Sequence, residues 1–315
     1  MSARRVGLVG ARGHTGRELL RLIGERDDLE LAFASSREWA GRPVAEMAPE
    51  ITTGLDFEAL SPDDVAARDV DAVILALPNG AAAPFVAAIA AGTVIVDLSA
   101  DYRFDEAWTY GLPEIYGRDR LIGARRIANP GCYATAGQLA IAPLRGQLDG
   151  DVHVFGVSGY SGAGTSPSRK NDTEALADNL MPYALAGHLH EGEMARHTGE
   201  SVCFTPHVAA FFRGIVATTH LTLKASMTSG DVRATFERAY ADEPLIQVTS
   251  DIPEVRDGAR QPGAVVGGFA VSADGRRLVV VSALDNLLKG AAVQAMQNLT
   301  LALGLPEGRY RPSPL

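Results

Sequence analysis

Cys132 is the residue whose type and surroundings point most directly to chemistry. It follows Asn129-Pro130-Gly131 and opens the small, apolar run from Tyr133 to Ala142, which Pro143 closes. Pro130 and Gly131 break whatever precedes them, and the run after Cys132 favours a helix. A thiol at the first turn of a helix meets unpaired N–H groups and the positive end of the dipole, and both favour thiolate over thiol. Such a cysteine is a usable nucleophile at neutral pH; the alternative is a buried structural thiol. Cys203, which precedes Phe204 in an apolar strand pattern, reads as a packing residue.

A thiol nucleophile needs a base. Gly187-His188-Leu189-His190-Glu191-Gly192-Glu193 offers two imidazoles at i, i+2 with Glu193 three residues beyond His190. These side chains read as metal ligands, as solvated loop residues, or as a base with an orienting carboxylate. No third ligand at zinc spacing follows and no CxxC pair exists, so no metal is expected. Arg103, in Asp97-Leu98-Ser99-Ala100-Asp101-Tyr102-Arg103, places a guanidinium beyond a strand end, where its planar fork suits a phosphate or a carboxylate. An ion pair with Asp101 or Asp105 is the other reading. The stretch from Ser158 to Lys170 combines hydroxyls, glycines, Arg169 and Lys170, the composition of an anion cradle or of a surface turn.

The elements that must hold these groups begin with a nucleotide-binding pattern. Arg5–Val9 reads as a strand, the turn Gly10-Ala11-Arg12-Gly13-His14-Thr15-Gly16 carries glycines as G-x-x-G-x-x-G, and Arg17–Glu25 reads as a helix. Strand, glycine turn and helix give close backbone approach and a helix N-terminus for a pyrophosphate. The second strand, Leu29–Ala34, ends in Ser35-Ser36-Arg37, where an NAD-preferring fold carries an acid for the ribose hydroxyl. Two hydroxyls and a guanidinium suit a 2′-phosphate instead, so NADP is expected over NAD, with a solvated loop arginine as the alternative. Strands at 71–77 and 93–98, with Ala81–Ala91 as an intervening helix, predict a doubly wound parallel sheet with Ser35, Pro78 and Ser99 on its carboxyl edge. After Cys132 the pattern changes. Strands at 151–157, 202–205, 214–224, 264–272 and 277–284, a hairpin at Asp274-Gly275 and a helix at 230–241 predict an α+β domain with a mostly antiparallel sheet. A last apolar helix, Lys289–Leu303, is expected to return to the first domain.

Composition limits the function classes. The chain has 315 residues, 46% of them hydrophobic, a net charge of −9 and two cysteines. That describes two globular domains without a disulfide framework, consistent with a reducing cytoplasm, and without a basic surface for nucleic acid or an anionic membrane. No apolar run reaches the roughly 20 residues that span a bilayer.

At this point the residues resemble a known family, the N-acetyl-gamma-glutamyl-phosphate reductases of arginine biosynthesis, relatives of aspartate-semialdehyde dehydrogenase. Asn129-Pro130-Gly131-Cys132-Tyr133-x-Thr135 is similar to the family's active-site signature. Further matches are the glycine turn, Asp97–Arg103, Ser158-Gly159-x-Ser161-Gly162-Ala163-Gly164, His188-x-His190-x-x-Glu193, Phe204-Thr205-Pro206-His207, Arg213-Gly214 and Asn286-Leu287-x-Lys289-Gly290-Ala291-Ala292. Departures are Ala134 for a proline, Thr165 where an arginine often stands, Glu191-Gly192 for a pattern with proline, and Val293 for a glycine.

The resemblance implies an NADP-binding Rossmann domain from residues 1–131 and 289–315, and a catalytic and dimerisation domain from 132–288. It implies reduction of N-acetyl-L-glutamyl 5-phosphate by NADPH through a Cys132 thioester, with release of inorganic phosphate, in a homodimer or homotetramer. His188, His190 and Glu193 then handle protons. Gly10, Arg12, Gly13, His14, Thr15, Gly16, Ser35, Ser36, Arg37, Pro78, Ser99, Gly162 and Asn286 hold the cofactor. Arg103, Asn129, Ser158, Ser161, His207 and Arg213 hold substrate or phosphate. Competing readings are the same reaction on an N-protected α-aminoadipyl phosphate, aspartate-semialdehyde dehydrogenase, which Pro-Gly before the cysteine disfavours, and an NADP sensor without turnover.

Overall fold

Arg4–Val9 (β1), Leu29–Ser35 (β2), Ala72–Leu75 (β3), Val94–Asp97 (β4), Thr109–Tyr110 (β5) and Arg126–Ala128 (β6) form a six-stranded sheet in the order β2-β1-β3-β4-β6-β5. Every pairing in it is parallel. The computed structural model describes residues 2–49, 51 and 53–314. β3 is wholly buried Ala-Val-Ile-Leu, as a strand covered on both faces must be. β1 lies between β2 and β3, so the chain reverses its direction of travel across the sheet there. Ligands of such sheets bind at the carboxyl ends beside that reversal. The helix His14–Gly24 packs on β2 and on the late helix Val293–Ala302, which also lies against β4.

The second sheet has seven strands: Val152–Gly159 (β7), Leu180–Pro182 (β8), Val202–Ala209 (β9), Ile215–Thr222 (β10), Ile246–Val248 (β11), Ala264–Val271 (β12) and Arg277–Leu284 (β13), in the order β11-β12-β13-β10-β7-β9-β8. Most pairings are antiparallel, but β7–β9 and β11–β12 are parallel. Val152, Val154 and Gly156 face inward from β7, while His153 and Phe155 face outward. The inner face carries the helix Cys132–Ile141, buried from Tyr133 to its end and packed on β10 and β13. Buried hydroxyls bind that helix to its surroundings: Ser282 Oγ donates to the Ala136 carbonyl at 2.8 Å, and Tyr240 Oη to that of Leu139 at 2.7 Å.

Two compact units result. One runs to Gly131 and includes Ala291–Tyr310; the other is Cys132–Gly290 with the tail from Arg311. The tail differs from the expected division. Its Ser313 N–H donates to the Arg260 carbonyl at 2.8 Å and its hydroxyl accepts from Arg213 Nη1 at 3.0 Å, so it groups with the second unit. Other expected elements are shifted. The helix foreseen over 81–91 is only Ala83–Ala88, because Ile89 turns extended so that the chain can enter β4. The last helix starts at Val293 after a π-turn over Leu288–Ala292. Among the described residues no helix is long and apolar enough to cross a membrane.

Candidate active site

Cys132 is the first residue of its helix and half-buried, and neither cysteine is in a disulfide. The next residue, Tyr133, is 2% exposed and donates its hydroxyl to the His207 carbonyl at 2.5 Å. Burial raises the Tyr133 phenol, with Tyr183 and Cys132 as further charged-form neighbours, and burial and then Cys132 raise that of Tyr183. Both phenols therefore stay protonated beside the sulfur.

His188 and His190 begin the helix Leu189–Thr198, which packs on the Cys132 helix. His188 is its N-cap: His188 Nδ1 accepts the His190 N–H at 3.1 Å. The rings lie 4.8 Å apart, His188 stands edge-on to Phe204 at 5.2 Å and to Tyr183 at 5.7 Å, and His190 is 6.0 Å from the Tyr133 ring. Burial lowers the His188 pKa and Lys170 lowers it further, against opposing pulls from Glu193 and Glu191. Glu193 is fully buried one turn into the helix. Cys132, both histidines and Glu193 thus belong to one packed group of the second unit.

Three members of this neighbourhood were not singled out from sequence. Tyr183 is one; Lys170 Nζ stands 4.8 Å over its ring. Glu191 is another: its carboxylate accepts the N–H of Gly187 at 3.1 Å and of Phe204 at 2.8 Å, tying the loop before the histidines to β9. Gly290 is the third, since a Cβ there would stand 2.6 Å from Cys132 Cβ. Only its place in the Asn286–Ala292 motif hinted at it.

Ser158, Ser161, Gly162 and Asn286 come together in the same unit. Asn286 Nδ2 donates to Ser161 Oγ at 2.9 Å and its Oδ1 accepts the Gly214 N–H at 2.7 Å; a Cβ on Gly162 would stand 3.1 Å from Ser158 Oγ. His207 is nearly buried, with its ring 4.3 Å from Phe155. Arg213 is engaged differently from the expectation of a substrate ligand. Its Nε and Nη2 bind Asp285 bidentately at 2.6 and 2.9 Å, both side chains being buried. Removing either partner would strand a buried charge, so this pair first of all fixes the end of β13.

In the first unit, Gly10 has φ +83 and a Cβ there would meet the Ala76 carbonyl oxygen at 2.3 Å; one on Gly16 would meet that of Ala11 at 2.3 Å. The turn is closed this tightly only by glycine. Gly13 is the N-cap of the helix that His14 and Thr15 begin, without a side-chain capping bond or an acid in the first turn, which leaves a positive helix end at the carboxyl edge of the sheet. Arg12 pairs with Glu38. Ser35 and Ser36 are buried: their hydroxyls accept the N–H of Leu60 at 3.4 Å and of Trp39 at 3.3 Å, whereas Arg37 is exposed. Pro78 starts the turn after β3, its carbonyl accepting from Ala81 N–H at 3.2 Å. Ser99 Oγ donates to buried Asp97 at 2.5 Å, and burial raises the Asp97 carboxyl. Arg103 Nε donates to the Asn129 carbonyl at 2.9 Å and its Nη2 to that of Leu98 at 2.8 Å, bracing the ends of β4 and β6. Asp101 accepts the N–H groups of Gly80 at 2.6 Å and Ala82 at 3.2 Å. Asn129 Oδ1 accepts from Asn298 Nδ2 at 2.9 Å.

A doubly wound parallel sheet with a glycine turn, joined in sequence to a mixed sheet that presents a helix-terminal cysteine, defines the semialdehyde dehydrogenase class. Residues 5–123 match the family model "Semialdehyde dehydrogenase, NAD binding domain", and residues 132–286 match "Semialdehyde dehydrogenase, dimerisation domain". The fold is shared with aspartate semialdehyde dehydrogenase II of Vibrio cholerae, at a TM-score of 0.78 and 18% identity over 96% of this chain and 99% of that one. Within the class, the chain is 59% identical to an N-acetyl-gamma-glutamyl-phosphate reductase of Stenotrophomonas maltophilia over 96% of both chains. It is also 50% identical to Protein arg-6, mitochondrial, of Neurospora crassa, over 96% of this chain and 36% of that protein. The chain belongs to the N-acetyl-gamma-glutamyl-phosphate reductase family.

Proposed function

We propose that the chain is an NADP-dependent enzyme that reduces N-acetyl-L-glutamyl 5-phosphate to N-acetyl-L-glutamate 5-semialdehyde in L-arginine biosynthesis. The observation that carries the reading is Cys132 at the N-terminus of a helix packed on the one that carries His188, His190 and Glu193, in a chain 59% identical to a reductase of that name. The aminoadipyl, aspartyl and sensor alternatives have no comparable support.

The chemistry starts at Cys132 of the second unit. The Cys132 thiolate attacks the γ-acyl carbon and expels phosphate, which takes a proton from solvent, leaving a thioester on Cys132. The glycine turn, with Ser35, Ser36 and Arg37 toward the 2′-phosphate, would hold NADPH, which when bound would supply the hydride for the thioester. An imidazolium protonates the resulting oxyanion, and on collapse the neutral imidazole takes that proton back while the thiolate leaves. Between the two histidines the capping bond supports a division of roles. Nδ1 of His188 accepts a backbone N–H, so its neutral ring carries hydrogen on Nε2 and serves as a donor and cap. His190 is then the proton-transfer group and Glu193 the orienting carboxylate. Arg103, which braces the ends of β4 and β6, is the residue assigned to the departing phosphate. Match to a dimerisation domain supports a homodimer or homotetramer, and a cytoplasmic place fits the two thiols. The test is phosphate-dependent NADP reduction with N-acetylglutamate, N-acetylaminoadipate and aspartate semialdehydes in turn. Preference for either of the last two by kcat/KM overturns the substrate assignment.

A further inference from the structure

Asp151, His153 and Cys203 have no part in the chemistry above, and their order in the sequence gave no hint of a site. The sheet brings them together. β7 and β9 run parallel with His153 directly opposite Cys203, and β10 runs antiparallel on the other side with His220 directly opposite His153. Asp151 lies two residues before His153 and so shares its face. All four side chains are exposed. The ligand atoms of Asp151, His153 and Cys203 lie within 4.8 Å of one another.

We propose that this outward row is a binding site for a borderline divalent transition-metal ion of the zinc type. The donors decide the class. One sulfur, one imidazole nitrogen and one carboxylate oxygen match the ligands zinc takes, whereas calcium and magnesium need oxygen shells that this row does not supply. A tetrahedral ion with bonds of about 2.0–2.3 Å holds its donors roughly 3.3–3.8 Å apart. The approach required from 4.8 Å or less is a rotation of exposed side chains about their own bonds. His220 or a water completes the shell. A metal ion takes a cysteine as thiolate, so binding displaces the Cys203 thiol proton and affinity falls on acidification. The bound ion clips the starts of β7 and β9 together, the two strands that lead to Ser158 and to His207.

The test uses the reduced, full-length protein in its native assembly and cobalt(II) as a spectroscopic probe. The expected result is one cobalt per chain, with a sulfur-to-cobalt charge-transfer band and the intense visible bands of a four-coordinate ion. The band should disappear in Cys203→Ser, weaken at least about tenfold in affinity in His153→Ala, and persist in Cys132→Ser. NADPH binding by Cys203→Ser, unchanged from wild type, serves as the check that this variant is folded. Zinc should raise the Tm of the wild type and leave that of Cys203→Ser unmoved. A band that survives in Cys203→Ser, a band lost in Cys132→Ser, or no band with cobalt up to about 1 mM, each overturns the proposal.

Discussion

Exchanging each histidine for asparagine separates the two roles the geometry assigns. At position 188 asparagine still offers an oxygen to the His190 N–H, and asparagine is among the best N-caps, so the capping contribution of about 1 kcal/mol is kept. His188→Asn should leave kcat within about tenfold and act mainly on KM, through the lost Nε2–H donor. His190→Asn removes the titrating group itself. Its expected cost is about 10²–10⁴ in kcat, or roughly 2.7–5.4 kcal/mol of barrier, with one limb of the pH–rate profile flattened. The assay is NADPH consumption against pH under saturating acyl phosphate. Stability adds a second readout. The folded pKa of His188 lies below the ordinary imidazole value of 6.5, because burial and Lys170 disfavour the charged ring. Between the two values the unfolded chain binds the proton that the folded chain refuses. The stabilisation is therefore complete above the ordinary value and is lost as pH falls towards the folded one. On acidification below about pH 6.5 the wild-type Tm should drop more steeply than that of His188→Asn. A large kcat loss in His188→Asn with a wild-type pH profile in His190→Asn would refute the assignment.

Three further outcomes follow from single contacts. Arg37→Ala should lower the preference for NADPH over NADH by roughly one to two decades, the loss of a charge-assisted contact of about 1.5–3 kcal/mol, measured as the ratio of the two dissociation constants. Glu191→Gln cannot accept both the Gly187 and Phe204 N–H groups, so a loss of about 1–2 kcal/mol in urea unfolding and a lower kcat are expected, with NADPH affinity unchanged. Gly290→Ala must displace Cys132 or the π-turn, and a shift of even an ångström at a nucleophile costs about 10² in rate, so kcat should fall that far while NADPH still binds.

What could be read in advance was local. Pro130-Gly131 before an alanine-rich run shows a helix start whatever the rest of the chain does, and Gly10, Gly13 and Gly16 between strand and helix show a tight turn. Period-two alternation marked β7 and Asp274-Gly275 marked the β12–β13 hairpin, but neither showed which strands lie beside them. Strand order depends on long-range packing, so the parallel pairing of β7 with β9 was invisible, and with it the outward row at His153 and Cys203. The same limit hid the partners of the arginines. Arg213 and Asp285 are far apart in sequence and meet bidentately, and Arg103 reaches the carbonyls of Leu98 and Asn129. Tyr183 and Glu191 stand in an irregular stretch whose geometry comes from the helix and strand it touches.

The proposed reaction turns on a covalent bond to one sulfur. Incubating the enzyme with N-acetyl-L-glutamyl 5-phosphate in the absence of NADPH, quenching in acid and measuring the intact and digested mass should show one N-acetylglutamyl group per active chain, on the peptide that carries Cys132. Phosphate should appear in equal amount, and NADPH added before the quench should discharge the adduct as semialdehyde. An adduct on Cys203, or full NADPH-dependent turnover by Cys132→Ala with no adduct at all, would contradict it.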